Sequence, residues 1–175
     1  MIRYSQFSIL KIVDRDNVPI GTLKNVLCTE DNKYIDSLVI EDGKIFRKKI
    51  IIPFEGIEDI GKDSMIINLN RAEKEDYKEK KGIKIDCFID KEVITEKGEF
   101  IGYIKDYIFN KEDGGISGFI ITEGVIEDII NGRSFIPLNI SHEVKDKNII
   151  VKEEIKDIID NGKDYYKKLL ELEGR

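Results

Sequence analysis

This chain of 175 residues contains two cysteines, one histidine and no long apolar run. Cys28 and Cys87 form no CxxC motif, so the sequence predicts neither a zinc knuckle nor a disulfide framework, and we expect a cytoplasmic location. No stretch approaches the roughly 20 apolar residues of a membrane span, and the first residues do not have the pattern of a signal peptide. We therefore expect no direct membrane insertion.

Sequence motifs for catalysis or cofactor binding are also missing. Neither GxxxxGK[ST] nor GxGxxG occurs. Residues 14–17 open like a calcium loop, but Pro19 stands where that loop needs glycine and Asn25 where it needs glutamate. The only histidine, His142, is expected in a solvated turn without converging partners. We predict no catalytic residue, no cofactor and no metal ligand; a small hydrolase or metal enzyme centred on His142 is the remote alternative.

Charge and hydropathy indicate a soluble globular protein without a basic surface. Hydrophobic residues make up 41% of the chain and charged residues 37%, enough for a core beneath a well-solvated exterior. The net charge is −6, with 29 basic and 35 acidic residues. Nucleic acid is therefore the less favoured class of partner, because phosphate binding normally needs a basic face.

An internal duplication is the most informative positive feature. At an offset of 81 residues, Ile20-Gly21 matches Ile101-Gly102, and at an offset of 84, Ile52-Pro53 matches Ile136-Pro137. The recurring residues are mainly isoleucine, glycine and proline, which shape and fill a fold rather than react. The chain is therefore expected to contain two copies of one small module.

Each copy has the short strands and frequent turn signals of a small barrel or sandwich. Pro53 marks a strand end or an edge, and Gly21 and Gly102 indicate bulges. The strands predicted in the first copy are Phe7–Val13, 21–29, 34–40, 47–52 and 64–69. The turns predicted are 14–17 and 30–33 in the first copy, and 96–99, 113–115 and Asn131-Gly132 in the second.

The fold class predicted is all-β, with two tandem small barrels and a short helical C-terminal tail. The boundaries are residues 1–72 for the first copy, 73–87 for a charged linker, 88–152 for the second copy and 153–175 for the tail. In the tail, apolar residues recur at helical spacing, and we expect this face to pack on the protein's own barrels, with a partner as the alternative.

Three segments are candidates for an interaction surface. Residues 44–49 form a basic patch with an aromatic residue, which favours either an RNA contact or a strand edge protected by lysines. Residues 125–130 are unusually apolar for a hairpin and are expected to plug the barrel, line an interface or dock a partner. The candidate residues are Phe46, Arg47, Lys48, Lys49, Val125, Ile126 and Ile129, with Ile155, Ile159 and Tyr166 from the tail.

The segments 13–26 and 93–107 carry a family resemblance. In both, a turn is followed by a hydrophobic residue, a glycine and a strand: Pro19-Ile20-Gly21 in the first and Phe100-Ile101-Gly102 in the second. This pattern resembles the PRC-barrel domain, found in the photosynthetic reaction-centre H subunit and in a ribosome maturation factor. The resemblance implies a docking module without catalytic groups. We expect neither the membrane helix of the former protein nor the additional domain of the latter.

The function expected is therefore a non-enzymatic protein-interaction or scaffolding module whose partner is another protein. Homo-oligomerisation is an open alternative, because barrel edges and an amphipathic tail can pair with copies of themselves. An RNA- or ribosome-associated assembly factor that binds through the basic hairpin is the second functional hypothesis.

Overall fold

The computed structural model describes residues 1–42, 48–72, 82–124, 133–138, 142–144 and 148–159. Within these ranges the chain forms two seven-stranded sheets, and the predicted all-β class is confirmed. In chain order the strands are β1 (Ile2–Arg3), β2 (Lys11–Val13), β3 (Pro19–Cys28), β4 (Ile35–Asp42), β5 (Lys49–Pro53), β6 (Ile57–Ile60), β7 (Ser64–Ile67), β8 (Ile83–Lys84), β9 (Glu92–Thr95), β10 (Phe100–Phe109), β11 (Ile116–Thr122), β12 (Ser134–Pro137), β13 (His142–Val144) and β14 (Asn148–Val151). A four-residue helix, α1, spans Tyr4–Phe7, and 3-10 turns span Phe54–Gly56, Leu69–Arg71 and Ile85–Phe88.

The strand order confirms the duplication. The sheets run β5-β4-β3-β2-β7-β6 and β12-β11-β10-β9-β14-β13, the same order in both copies. Ile12 pairs with Gly21 as Val93 pairs with Gly102, which reproduces the offset of 81. The parallel pairs β2–β7 and β9–β14 reproduce the offset of 84. The two sequence repeats are therefore two copies of one strand topology.

Most predicted strands of the first copy are confirmed, since β3, β4, β5 and β7 overlap the predicted segments. The predicted strand Phe7–Val13 is wrong in its first half, where α1 ends at Phe7 and only Lys11–Val13 is extended. Phe7 and Leu10 are both buried, and the Leu10 amide donates to the Phe7 carbonyl at 3.2 Å. Their spacing of three residues fits a turn, not a strand. The strand β6 was not predicted from the sequence.

Gly21 and Gly102 lie next to register shifts in the β2–β3 and β9–β10 ladders, which confirms the predicted bulges. A Cβ atom on Gly21 would lie 2.2 Å from the Glu41 carbonyl oxygen, and one on Gly102 would lie 2.8 Å from that of Thr122. Both distances are below van der Waals contact. Glycine is therefore required at these positions because neighbouring backbones approach closely.

The turn predictions are confirmed where the structure describes them. Asn17 has φ 63°, and its counterpart Gly98 has φ 84°, so both adopt the left-handed conformation that asparagine and glycine tolerate best. Gly114, in the predicted turn 113–115, has φ 73°. The predicted Asn131-Gly132 turn lies outside the described residues.

The chain divides into two compact units. The first unit comprises Ser5–Asp86 and Asn110–Gly115, and the second comprises Met1–Tyr4, Cys87–Phe109 and the residues from Ile116 onward. The domain boundaries drawn from the sequence stay a prediction.

Two strands of two residues each, β1 and β8, stand in the sequence just before the first and the second copy of the repeat, and we call them the leading strands. Each of them lies in the unit that is built mainly from the other copy. In the second unit β1 pairs with β10, Ile2 opposite Phe109. In the first unit β8 pairs with β3, Ile83 opposite Cys28. Ile2 and Ile83 are 81 positions apart, so the two leading strands are equivalent in the repeat. They also pair with equivalent strands, β1 with β10 and β8 with β3.

The core of each unit consists mainly of isoleucine, leucine and phenylalanine. These side chains point inward from adjacent strands and are buried away from water. Burial of apolar surface is the main favourable contribution to folding. Fully buried examples in the first unit are Phe7, Leu38, Ile40, Ile52 and Met65, and in the second Ile104, Phe109, Ile120, Phe135 and Ile155.

Candidate interaction surfaces

The basic patch of the first copy is described only at its C-terminal end. Lys48 and Lys49 are exposed, and Lys49 begins the strand β5. Phe46 and Arg47 lie outside the described residues, as do Val125, Ile126 and Ile129 of the apolar hairpin and Tyr166 of the tail. Lys48 and Lys49 are thus the described part of this candidate surface.

The two tail isoleucines are buried, which corrects their assignment to an exposed surface. Residues 155–159 are helical, with Ile155 0% and Ile159 8% exposed. Lys156 forms an ion pair with Glu99, and the amide of Lys97 donates to the Glu153 carboxylate at 3.3 Å. The start of the tail therefore packs within the second unit, in agreement with the expectation that it covers the protein's own barrel.

The strand β10 carries an exposed aromatic pair that was not predicted from the sequence. Phe100 is 47% and Tyr103 42% exposed, although a strand would normally place residues three apart on opposite faces. The bulge beside Gly102 shifts the alternation by one residue and brings both rings outward. Their centroids are 5.1 Å apart. The predicted bulge was the signal that could have revealed this pair.

The surroundings of the aromatic pair are partly apolar and partly acidic. Ile94, half-buried on β9, lies opposite Phe100. Glu92, which is also on β9, lies opposite Tyr103. On the other side of β10, Thr122 of β11 lies opposite Tyr103, and Glu123 is the next residue along the chain. The Glu92 carboxylate therefore lies on the same face of the sheet as a pair of rings that can accept an apolar group or a cation. At the positions of Phe100 and Tyr103 the first copy has Pro19 and Thr22, so this surface belongs to the second copy alone.

Two further apolar residues are exposed in the first unit. Val18, in the turn after β2, is 54% exposed, and Leu69 is 43% exposed. The Asp14 carboxylate fixes the turn by accepting hydrogen bonds from the amides of Asp16 at 2.9 Å and Val18 at 2.8 Å. These bonds hold the exposed valine in one place.

An ion pair ties this turn to the chain around Leu69. The Arg15 guanidinium donates to the Glu58 carboxylate in a bidentate contact, with Nε to Oε2 at 2.7 Å. The hydrogen bond from Arg15 is the main reason that the pKa of Glu58 lies below its ordinary value, and the Asn68 side chain also hydrogen-bonds that carboxylate. Glu58 therefore links the turn that contains Arg15 to the chain at Asn68.

The two cysteines differ in their environment. Burial raises the pKa of the Cys28 thiol to about 12, with a smaller contribution from the Asp36 charge, so this cysteine stays protonated and is a poor nucleophile at neutral pH. Cys87 is exposed. His142 is paired through its backbone with Val151. Within the described ranges, no group of three His, Cys, Asp or Glu residues could hold a metal ion.

None of the helices in the described part of the chain is long and apolar enough to cross a membrane.

Comparison with known proteins identifies the family. No curated protein matches the sequence. The PRC-barrel domain family model matches twice, over residues 1–74 and 81–166, in agreement with the two copies of the strand topology. The chain therefore belongs to the PRC-barrel domain family, as a tandem of two such domains.

Proposed function

We propose that the chain is a cytoplasmic, non-enzymatic protein-interaction module and that its second copy binds a partner through Phe100 and Tyr103. Domains of this family are in general non-catalytic interaction modules. The observation that carries the proposal is the outward-facing aromatic pair, which has no counterpart in the first copy. Half-exposed neighbouring rings are a favourable place for a partner, because aromatic residues dominate binding energy at protein interfaces.

The flanking charges specify the chemistry of the partner. A bound segment would meet the rings of Phe100 and Tyr103 together with the carboxylate of Glu92. An apolar side chain beside an arginine or lysine complements this arrangement, because the cation can stack on a ring and neutralise the acidic rim. The partner proposed is therefore a protein segment with an apolar anchor next to a basic residue.

Site-specific photo-crosslinking tests this surface. p-Benzoylphenylalanine at Tyr103 should form an adduct with a protein from native lysate, whereas the same group at Thr22 should not. Thr22 is the exposed, equivalent position of the first copy and serves as the matched control. Sequencing of the adduct should locate an apolar residue next to a basic one.

A substitution series measures the strength of the contact. Phe100→Ala and Tyr103→Ala should each weaken binding of the crosslinked partner by about tenfold or more, as expected for residues at the centre of an interface. Ile9→Ala, at an exposed apolar residue of the first unit, should leave binding unchanged. Equal adducts from positions 103 and 22, or unchanged affinity in both aromatic variants, would contradict the proposal.

An RNA-associated role is the second candidate, and it is supported by the exposure of Lys48 and Lys49. It predicts RNA binding whose affinity falls steeply between about 50 and 200 mM salt, because bound lysines release counterions from phosphates. The triple change Arg47→Glu, Lys48→Glu and Lys49→Glu should abolish that binding. Salt-independent or absent binding would exclude this role.

A further inference from the structure

The basic patch of the first copy has the chemistry that the aromatic pair of the second copy requires of a partner. Residues 44–49 read Lys-Ile-Phe-Arg-Lys-Lys, so four of the six are basic and none is acidic. No other six-residue stretch of the sequence contains four basic residues. Phe46 stands directly before Arg47, which places an apolar anchor next to a basic residue. The chain therefore contains a segment of the kind proposed to bind Phe100 and Tyr103.

The basic patch joins the paired strands β4 and β5 of the first unit. Glu41 lies opposite Lys49, and the Asp42 amide donates to the Lys48 carbonyl at 2.9 Å, so the two strands remain paired up to this point. Lys48 and Lys49 are both exposed. The described end of the patch is therefore accessible to a second molecule.

The surface around the aromatic pair has the opposite charge. From Glu92 to Tyr103 the chain contains three glutamates and one lysine. Lys105, the next outward-facing residue along β10, is paired with the Asp90 carboxylate at 3.3 Å, so its charge is compensated locally. The Glu92 carboxylate shares a face of the sheet with the two rings. A guanidinium group suits this arrangement, because it can stack on a ring and bond a carboxylate at the same time.

The two complementary surfaces belong to different copies of the repeat. At the offset of 81, the basic patch corresponds to residues 125–130, which contain two acidic residues and no basic one. Conversely, the first copy has Pro19 and Thr22 in place of the aromatic pair. Each copy therefore carries one half of a complementary contact, and every molecule offers one half of each kind to other molecules.

We propose that the aromatic pair binds the basic patch of a second copy of this chain, so that the protein self-associates. Phe46 of one molecule packs against Phe100 and Tyr103 of the other, and Arg47 pairs with Glu92. The inference rests on the proposed function, because it assigns an occupant to the same surface. Association should weaken as salt is raised, since part of the attraction is between opposite charges near the surface.

Photo-crosslinking of the purified full chain tests the contact directly. p-Benzoylphenylalanine at Tyr103, mixed with a copy of the protein that carries a longer tag, should give an adduct with the mass of one chain of each length. Mass spectrometry should locate the attachment within residues 44–49. The same group at the exposed Thr22 of the first copy is the matched control and should give no such adduct. An adduct confined to one chain, or attachment elsewhere, would overturn the inference.

Sedimentation velocity measures the strength of association. Phe46→Ala and Tyr103→Ala should each weaken it about tenfold or more, as expected for anchors at the centre of an interface. Ile9→Ala should leave it unchanged, since Ile9 is 81% exposed and belongs to neither surface. Ribonuclease should have no effect. A monomeric wild-type protein, or association that ribonuclease abolishes, would contradict self-association through this contact.

Charge reversal tests the pairing of Arg47 with Glu92. Arg47→Glu and Glu92→Lys should each weaken association, because each brings like charges together. A mixture of the two variants should associate more tightly than either alone, because both contacts between unlike chains then join opposite charges. Circular dichroism verifies that each variant is folded. Equal association in the mixture and in the separate variants would contradict the pairing.

The two proposals can fail separately. A purified chain that stays monomeric, while the photo-crosslinker at Tyr103 captures a different protein from lysate, would overturn self-association and leave the proposed function standing. No adduct at Tyr103 in either preparation would contradict both.

Discussion

At the scale of single residues, backbone proximity explains why certain glycines recur in both copies. Gly21 and Gly102 lie against carbonyl groups of the adjacent strand, where any side chain would collide with backbone atoms. Gly98 differs, because no atom lies within 4 Å of the position a Cβ would take there, and only its φ of 84° favours glycine. The residue type is the same, but the physical requirement is not.

Alanine substitutions should separate these two requirements. Gly21→Ala should lower the free energy of unfolding by about 3 kcal/mol, because the strand backbones must move apart. Gly98→Ala should lower it by only about 1 kcal/mol, the cost of a left-handed alanine. Urea denaturation measures both values. A similar loss in both variants would show that close approach is not the decisive factor.

The two cysteines should differ in reactivity for reasons of burial. At pH 8 iodoacetamide should modify Cys87 rapidly and Cys28 only after unfolding, since Cys28 is 2% exposed and its pKa is raised to about 12. Mass spectrometry should find one modified thiol in the native protein and two in denaturant. Cys87→Ser should leave none in the native protein. Modification of both thiols in the native wild type would contradict this assignment.

The same burial predicts how stability depends on pH. The folded pKa of Cys28 lies above the ordinary thiol value of 9.0, so its contribution is fully present below about pH 9. As the pH rises from there towards about 12, the unfolded chain loses the thiol proton first, and the free energy of unfolding should fall. Urea titrations at pH 8 and about pH 10.5 should show a smaller decrease in Cys28→Ala than in the wild type. An equal decrease would contradict the prediction.

At the scale of elements, a strand is predictable from sequence to the extent that its residues carry a pattern. Long strands such as β3 and β10 have enough residues and turn signals to be located from sequence alone. β6 has four residues, and two acids stand between its isoleucines, so neither its period nor its composition indicates a strand. β1 and β8 have two residues each and carry no period at all.

The C-terminal helical segment gives a test at this scale. Ile155→Ala should lower the free energy of unfolding by about 2–4 kcal/mol, because Ile155 is 0% exposed and truncation leaves a cavity. Ile158→Ala, on the same turn of helix and only half-buried, should cost clearly less. Thermal and urea denaturation measure both. Equal, small losses would show that the segment is not part of the second unit's core in solution.

At the scale of the whole molecule, the leading strands make each unit depend on a segment from outside its own copy. β1 extends the sheet of the second unit, and β8 extends that of the first. Short strands of this kind are held only by the edge they join, because an isolated pair of strands is marginal in water. The effect of a substitution in β1 should therefore appear far away in the sequence.

A crossed proline experiment tests this topology. Ile2→Pro removes a backbone donor from β1 and should accelerate amide hydrogen exchange at Ile108 and Phe109, about 100 residues away, without affecting Leu27 and Cys28. Ile83→Pro should do the reverse. Exchange measured residue by residue by NMR distinguishes the two patterns. Acceleration at Leu27 and Cys28 in Ile2→Pro would show that each leading strand serves its own copy.

The sequence by itself determined the duplication, the all-β class, the bulges and most turns. These features depend on residue types with strong local preferences, such as Gly21, Asn17 and Pro53, and on a repeat that two sequence offsets reveal. Only the tertiary structure decided which sheet receives Ile2–Arg3, that Ile155 and Ile159 are buried, and that Phe100 and Tyr103 face solvent together. Pairing and burial depend on which distant backbone is adjacent, and a linear pattern contains no direct record of that proximity.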